Sequence, residues 1–248
     1  MPGPVKTEAI VLRSLRYGEA DRILHCYTPG RGRIGAIAKG VRKTRSRFGG
    51  RLEPFFRLNL VLHEGRSDLM TVTSVETVSA YAALRVDGPA LDSAARACDA
   101  VARLFDTAEP SPPVFHLLAN ELQLLDAGAG GVHGVAPHAH HENQLAFRMK
   151  LLLVAGLAPQ LTACATCGEG DHLVGFSGAA GGVVCASCEA GGFRLDQEAH
   201  DFLAAAIGRP LAEVPTGVGS RALRQAERAI TDTVEHHVGT HLRSATAR

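Results

Sequence analysis

Residues 56–75, FRLNLVLHEGRSDLMTVTSV, carry the clearest strand pattern in this chain of 248 residues. Apolar and more polar side chains alternate through its first half, which is the period of a strand with one buried face. The apolar side chains on that face are Phe56, Leu58, Leu60 and Leu62. The sequence at 65–68, GRSD, is typical of a hairpin turn. Residues 56–63 and 69–75 therefore form a predicted β-hairpin.

Three shorter runs upstream have the composition of further strands. They lie at residues 6–15, 22–27 and 33–39, and the sequence TPG at 28–30 closes the second run. Five short strands with turn signals in about 75 residues predict a small closed barrel. Among five-stranded barrels that bind nucleic acids, the OB-fold is the commonest.

Beyond residue 78 the sequence becomes rich in Ala and Leu, and apolar residues recur at helical spacing. The predicted helices are residues 90–105, 114–126, 143–155, 197–207 and 220–241. The chain is thus predicted to be an α+β multidomain protein, in which an N-terminal five-stranded OB-fold β-barrel is followed by an all-helical domain with an inserted four-cysteine zinc module. The predicted boundaries are 1–80 for the barrel, 81–158 and 195–248 for the two helical parts, and 159–194 for the module.

Four cysteines form two pairs, Cys164 with Cys167 and Cys185 with Cys188. Two C-x-x-C pairs separated by seventeen residues have the spacing of a structural zinc site, because each pair can bind one ion from a single tight turn. Disulfides would need an oxidising compartment, for which the sequence gives no sign. Four thiolates also leave no open position for water or substrate. The expected cofactor is one structural Zn²⁺ ion.

Charge is distributed unevenly, although the whole chain has a formal net charge of only +1. Residues 1–80 have a net charge of +7, and the remainder has −6. Five cations lie within residues 39–47, where no apolar residue interrupts the run between Val41 and Phe48. The pattern predicts an exposed, flexible loop whose cations contact the phosphates of nucleic acid while Phe48 stacks on a base. The predicted DNA-binding residues are Arg31, Arg33, Lys39, Arg42, Lys43, Arg45, Arg47, Phe48 and Arg51.

Several alternative interpretations remain open at this point. The basic run is also compatible with a solvated loop, or with an interaction scaffold for which nucleic acid is incidental. A zinc-dependent nucleic-acid-modifying enzyme would need an open metal position and a nearby Glu as general acid and base. Glu169 and Glu189 adjoin the cysteine pairs, but no His-x-Glu precedes either pair. A second metal site is conceivable in the His-rich stretch 128–141.

No apolar run approaches the roughly 20 residues of a membrane span. The N-terminal sequence MPGPVKTEAIVLRSL also lacks the apolar region and cleavage site of a signal peptide. The expectation is a cytoplasmic protein that does not contact a membrane.

Two blocks of the sequence resemble the RecO family of bacterial recombination mediators. The first is AIVLRSLRYGEADRILHCYTPGRGRIGAIAKGVRKTRSRFGGRLEPF at residues 9–55, in which YGEADRI, AKGVR, SRF and LEPF follow the family pattern. The second is AFRMKLLLVAGLAPQLTACATCG at residues 146–168, which is similar to the family's helix leading into its first cysteine pair. All four cysteines of the zinc-bearing branch of the family are present.

This resemblance implies an OB-fold, a helical domain and an inserted zinc module. It also implies a protein that binds single- and double-stranded DNA, anneals complementary strands and, with RecR, helps load RecA onto DNA coated by SSB. RecF would be an indirect partner in the same pathway, and the protein would be nucleoid-associated and not an enzyme. The acidic C-terminal tail of SSB would need an apolar pocket with a basic rim, for which Arg148 and Lys150 are candidates.

Overall fold

The structure is a computed structural model, and it describes residues 3–65, 68–129 and 140–244. The chain divides into two compact units, residues 1–136 and 137–248. Each unit is described separately below.

Five strands of the first unit form a closed barrel in the order β1-β2-β3-β5-β4, which confirms the predicted fold class. Their bounds are β1 Val5–Tyr17, β2 Asp21–Thr28, β3 Gly32–Ala38, β4 Arg57–His63 and β5 Met70–Ser79. The first strand is long enough to pair with both β2 and β4, and its register shifts between Val11 and Arg13. The barrel closes where β3 and β5 pair in parallel, Ala36 with Met70 and Ile37 with Thr71.

The barrel interior is filled by the alternating residues of its strands. Leu58, Leu60 and Leu62 are at most 1% exposed, as their spacing predicted. Two further interior residues, Phe48 and Leu52, come from the segment between β3 and β4 and are each 1% exposed. This segment therefore closes one part of the core in addition to connecting two strands.

The prediction of an exposed flexible loop at this position needs correction. Consecutive turns occupy the segment, with backbone hydrogen bonds from the Ser46 N–H to the Lys43 carbonyl (2.9 Å) and from the Arg51 N–H to the Phe48 carbonyl (3.4 Å). The Phe48 ring points into the barrel, so it is not available to stack on a base. Burial of an aromatic ring removes a large apolar area from water. The resulting stabilisation holds Phe48 in the core although the neighbouring residues are charged.

The first unit also contains the helices α1, Gly88–Leu104, and α2, Pro112–Gly128. Asp87 caps α1 by accepting a hydrogen bond from the Ala90 N–H at 2.9 Å. The segment after α1 packs on the barrel, where the ring of Phe105 meets that of Tyr27 edge-on with centroids 6.4 Å apart. These contacts join the two helices to the barrel as one unit.

The second unit combines three helices with a small sheet. Its elements are α3 His141–Val154, β6 Leu173–Ser177, β7 Gly182–Cys185, β8 Phe193–Arg194, α4 Gln197–Gly208 and α5 Ser220–Val238, and the sheet order is β7-β6-β8. The sheet packs on α5, where the Asp232 carboxylate accepts a hydrogen bond from the Gly178 N–H at 2.7 Å. This division places α1 and α2 with the barrel and the cysteine module with the later helices. The four predicted domain boundaries remain a prediction.

Two predicted features lie partly outside the described residues: the turn at 65–68 and the His-rich stretch at 128–141. In the described parts of the chain, no helix combines the length and apolar character that crossing a bilayer requires.

We predict that Phe48→Ala lowers the free energy of unfolding by about 3–5 kcal/mol, because it leaves a cavity in the barrel core. Urea denaturation followed by circular dichroism measures this change. Arg45→Ala is the matched control, since Arg45 is exposed three residues earlier in the same segment, and it should change the free energy by less than about 0.5 kcal/mol. Equal stability of the two variants would contradict the burial of Phe48.

Candidate nucleic-acid interface and candidate metal centre

We call residues 39–51 the basic segment. Its beginning is fixed to the turn between β1 and β2 by two hydrogen bonds. The Gly40 N–H donates to Oδ1 of Asp21 at 2.7 Å, and the Arg42 N–H donates to the carbonyl of Ala20 at 2.9 Å. The segment therefore starts from a defined place on the barrel.

The chain just after the basic segment is held by two arginines. Arg22 forms an ion pair with Glu53 at 3.0 Å and also donates to Oγ of Ser14 at 3.0 Å. Arg85 donates to the carbonyl of Pro54, and its guanidinium lies 4.1 Å from the centroid of the Phe56 ring. Burial lowers the pKa of Arg85, while the charge of Glu53 acts in the opposite direction.

The cations of the basic segment point to solvent. Within the described ranges 3–65, 68–129 and 140–244, no ion pair involves any of the five that lie between residues 39 and 47. These five are Lys39, Arg42, Lys43, Arg45 and Arg47, and all are exposed. Arg51 is also exposed and donates to the carbonyl of Val75 at 3.4 Å. Exposed cations without a protein counterion can release the counterions of a phosphate backbone on binding.

Arg31 and Arg33 lie elsewhere on the barrel. They are at the start of β3, whereas the basic segment begins at its end, and a strand of seven residues spans about 20 Å. Arg31 forms an ion pair with Glu64 at 2.7 Å, and the half-buried Arg33 donates to the carbonyl of Ala102 at 3.3 Å. The structure therefore does not bring these two residues together with the basic segment.

Sequence reasoning missed the residues that position the basic segment, which are Asp21, Arg22, Glu53 and Arg85. Asp21, Arg22 and Glu53 lie within the block that resembles the RecO family, so the resemblance could have drawn attention to them. It does not reveal that the Asp21 carboxylate accepts a hydrogen bond from the Gly40 N–H. Arg85 lies outside the quoted blocks. Its role depends on a contact across 31 residues of sequence, which no local pattern contains.

We predict that Arg85→Ala frees the end of the basic segment and accelerates tryptic cleavage within residues 39–51. Trypsin cuts after Lys and Arg, and cleavage requires local opening of the backbone. Mass spectrometry of brief digests locates the cuts. Arg103→Ala, which removes an ion pair with Asp99 near the surface of α1, is the control. Identical cleavage rates in the two variants would rule out this role for Arg85.

The four cysteines come together as the spacing predicted. All four Sγ atoms lie within 4.8 Å of one another, and those of Cys167 and Cys185 are 3.7 Å apart. Zinc–sulfur bonds of about 2.3 Å in a tetrahedron imply sulfur separations of about 3.8 Å. Disulfide sulfurs would be about 2.05 Å apart. The residues present therefore fit a metal ion held by four sulfurs.

Two tight turns provide these ligands. In the first, the Gly168 N–H donates to the carbonyl of Cys164 at 2.9 Å, and Gly168 has φ +82°, a left-handed value that suits glycine. In the second, the Cys188 N–H donates to the carbonyl of Cys185 at 3.0 Å, immediately after β7. The described ranges contain no other cluster of metal-ligating side chains, and His172 does not belong to this one.

Electrostatics within the cluster favour a bound cation. Hydrogen bonds from the backbone of Cys185 and Cys167 lower the pKa of Cys164 to about 6. The neighbouring thiols of Cys167 and Cys185 raise the pKa of Cys188 to about 12. The pKa values thus favour a thiolate at Cys164, whereas the neighbouring thiols and, to a smaller extent, the charge of Cys164 oppose ionisation of Cys188. A divalent cation removes this penalty.

Arg148 and Lys150 do not form the basic rim that the sequence suggested. Arg148 is 3% exposed and donates to the carbonyl of Arg243. Lys150 donates to the carbonyls of Ile207 at 3.3 Å and Arg209 at 2.5 Å, and burial lowers its pKa. Both cations are engaged within the second unit.

We predict that Cys164→Ser abolishes stoichiometric zinc binding and lowers the melting temperature of the second unit, because binding and folding are coupled. Zinc content by elemental analysis and melting by calorimetry test both effects. Cys98→Ala, at a buried cysteine of α1, should keep one zinc per chain. A Cys164→Ser protein that lost zinc yet melted like the parent would contradict the structural role.

The chain is similar to known proteins over most of its length. The family model described as Recombination protein O N terminal matches residues 1–81, and that described as Recombination protein O C terminal matches residues 85–246. The chain is 37% identical over 245 residues to the DNA repair protein RecO of Anaeromyxobacter sp. (strain K), covering 96% of this chain and 93% of the relative. It is also 37% identical over 239 residues to the DNA repair protein RecO of Rubrobacter xylanophilus, covering 90% and 89% of the two chains.

Proposed function

This chain belongs to the RecO family, and from that premise we propose that it acts in DNA repair and homologous recombination as a protein that binds DNA through its basic segment. The observation that carries the proposal is the group of five exposed cations at residues 39–47, which make no ion pair within the described ranges. Contacts to phosphates fix position and supply affinity without reading sequence. A protein that acts wherever single-stranded DNA appears needs this kind of contact.

We propose that the same cations support annealing of complementary strands. Two strands repel each other as polyanions, and a cationic surface that contacts both screens this repulsion. The anchored ends of the basic segment support this function, because cations on an ordered segment lose less conformational freedom on binding than cations on a mobile loop. Binding of both single- and double-stranded DNA follows, since the initial and final states of annealing share the phosphate backbone.

The family resemblance supports a wider role. In this proposal the protein works with RecR to load RecA onto DNA coated by SSB, recognises the acidic C-terminal tail of SSB, and depends indirectly on RecF. It would act in the cytoplasm at the nucleoid.

We propose that the metal is one structural Zn²⁺ and that the protein catalyses no covalent reaction. Four sulfur ligands complete a tetrahedron and leave no position for an activated water. A zinc-dependent nucleic-acid-modifying enzyme would need such a position and a Glu directed toward it. In the cluster that the four cysteines form, the contact made by Glu169 is through its backbone carbonyl, which accepts from the Cys164 N–H at 2.7 Å.

The test of DNA binding is the double variant Lys43→Glu with Arg45→Glu. We expect weaker binding to single-stranded oligonucleotides and loss of strand annealing. If each residue contacts one phosphate, the slope of log K against log salt should fall in magnitude by roughly 1.4. Fluorescence anisotropy at several salt concentrations, with an annealing assay on labelled complementary strands, measures both effects.

The control is Arg209→Glu with Arg224→Glu, which makes the same change in net charge at two exposed arginines of the second unit. This variant should bind DNA with the parent's salt slope. Equal loss in both double variants would mean that net charge alone matters, and an unchanged Lys43→Glu/Arg45→Glu variant would refute the assignment of the basic segment.

A further inference from the structure

Tyr17 is the one exposed phenylalanine or tyrosine in the described parts of the chain. Tyr17 is 53% exposed, whereas Tyr27, Phe48 and Tyr81 are 1%, 1% and 5% exposed. A single exposed ring does not by itself imply a partner, but it does offer a face on which an unpaired base can stack. The position of Tyr17 on the barrel decides whether a base can reach it.

Tyr17 ends β1 beside the beginning of the basic segment. It pairs across the sheet with Asp21, whose carboxylate binds the Gly40 N–H. Arg22 pairs with Ala38, so the next residues along these two strands, Asp21 and Lys39, face each other. Tyr17 and Lys39 are therefore two strand spacings apart, which is about 10 Å between their backbones.

Tyr17 also continues an apolar row on the outer face of the barrel. Leu15, two residues earlier and hence on the same face, pairs with Ile23, and Ile23 pairs with Ile37. Leu15, Ile23 and Ile37 are half-buried. The inward-facing residues that alternate with Ile23 and Ile37 along β2 and β3 are fully buried. The outer face of strands 2 and 3 is where OB-folds bind oligonucleotides. The ring therefore lies at one end of an apolar strip on that face.

The charges near the ring are compatible with a polyanion. Lys39 and Arg42, at the start of the basic segment, are both exposed. Of the two acids in the turn, Asp21 is occupied by the Gly40 N–H, and Glu19 is exposed. Lys39 and Arg42 therefore offer cations to a phosphate on the side of the ring where the basic segment begins.

We propose that Tyr17 is a stacking platform for an unpaired base of single-stranded DNA whose phosphates lie on the basic segment. The inference rests on the proposed function and adds a source of preference for single strands. Stacking on an aromatic ring is available to every base, so it gives affinity without sequence preference. In a duplex the bases already stack on one another, so the ring contributes nothing there without the cost of unstacking.

Tyr17→Ala should weaken binding to an oligo(dT) probe by roughly 5- to 150-fold, the range expected for loss of one stacked base. The slope of log K against log salt should not change, because no phosphate contact is removed. Binding to a duplex should change by less than about two-fold. Tyr17→Phe keeps the ring and should bind like the parent. Val86→Ala truncates another exposed apolar side chain, 89% exposed, and should also bind like the parent.

Tyr17→Trp gives a direct reading of the contact, because the chain contains no tryptophan. Its emission should change as oligo(dT) is added and saturate at the concentration at which anisotropy shows binding to be complete. In the background of Lys43→Glu with Arg45→Glu, the same change should require more DNA. Unaltered emission while anisotropy reports binding would overturn the stacking contact.

The two proposals fail in different ways. If the parent protein binds DNA with a salt slope that depends on the basic segment, but Tyr17→Ala binds oligo(dT) as tightly as the parent, the stacking platform is refuted and the proposed function stands. If the parent protein does not bind DNA, the proposed function is refuted and the stacking platform is refuted with it. Equal weakening of single-strand and duplex binding by Tyr17→Ala would also refute the platform.

Discussion

The burial of Phe48 and Leu52 inside the barrel is the interaction on which the basic segment depends. Five cations within nine residues repel one another and favour an extended, solvated chain. Two buried apolar side chains offset this repulsion, since each one removed from water contributes about 1.5–3 kcal/mol. The hydrogen bond to Asp21 and the ion pair of Arg22 with Glu53 then fix the ends. The same segment is consequently part of the core and part of the surface.

A different constraint governs the cysteine module of the second unit. Its apolar cluster consists of Cys164, Val184 and Cys185, with Leu173, Ala180 and Cys188 packed against them. Half of this cluster is made of the candidate metal ligands themselves, so the apolar core around the sulfurs is small. A metal ion bound by the four sulfurs would add stabilisation at a place where the apolar core is small. The proposed ion would thus have a structural role that is independent of DNA.

The sequence predicted those parts of the fold that a short pattern of neighbouring residues specifies. The alternation at 56–63 and the spacing of the four cysteines were sufficient, because a strand face and a metal-binding turn are each specified by a few neighbouring residues. The burial of Phe48 was not predicted, because a single aromatic residue within a run of charged residues forms no repeating apolar pattern. Arg31 and Arg33 were grouped with the basic segment because they are close in sequence, although β3 carries the two sets to opposite ends.

In the proposed annealing surface, charge and stacking would have different roles. Phosphate contacts hold two polyanions together but do not control how the bases are presented. A ring at Tyr17 holds a base by its face, so the edge that pairs with a complementary base remains free. Hydrogen bonds to that edge would give tighter and more selective binding, but they would compete with pairing. One exposed ring beside unpaired cations therefore suits a protein that must hold a strand and then release it into a duplex.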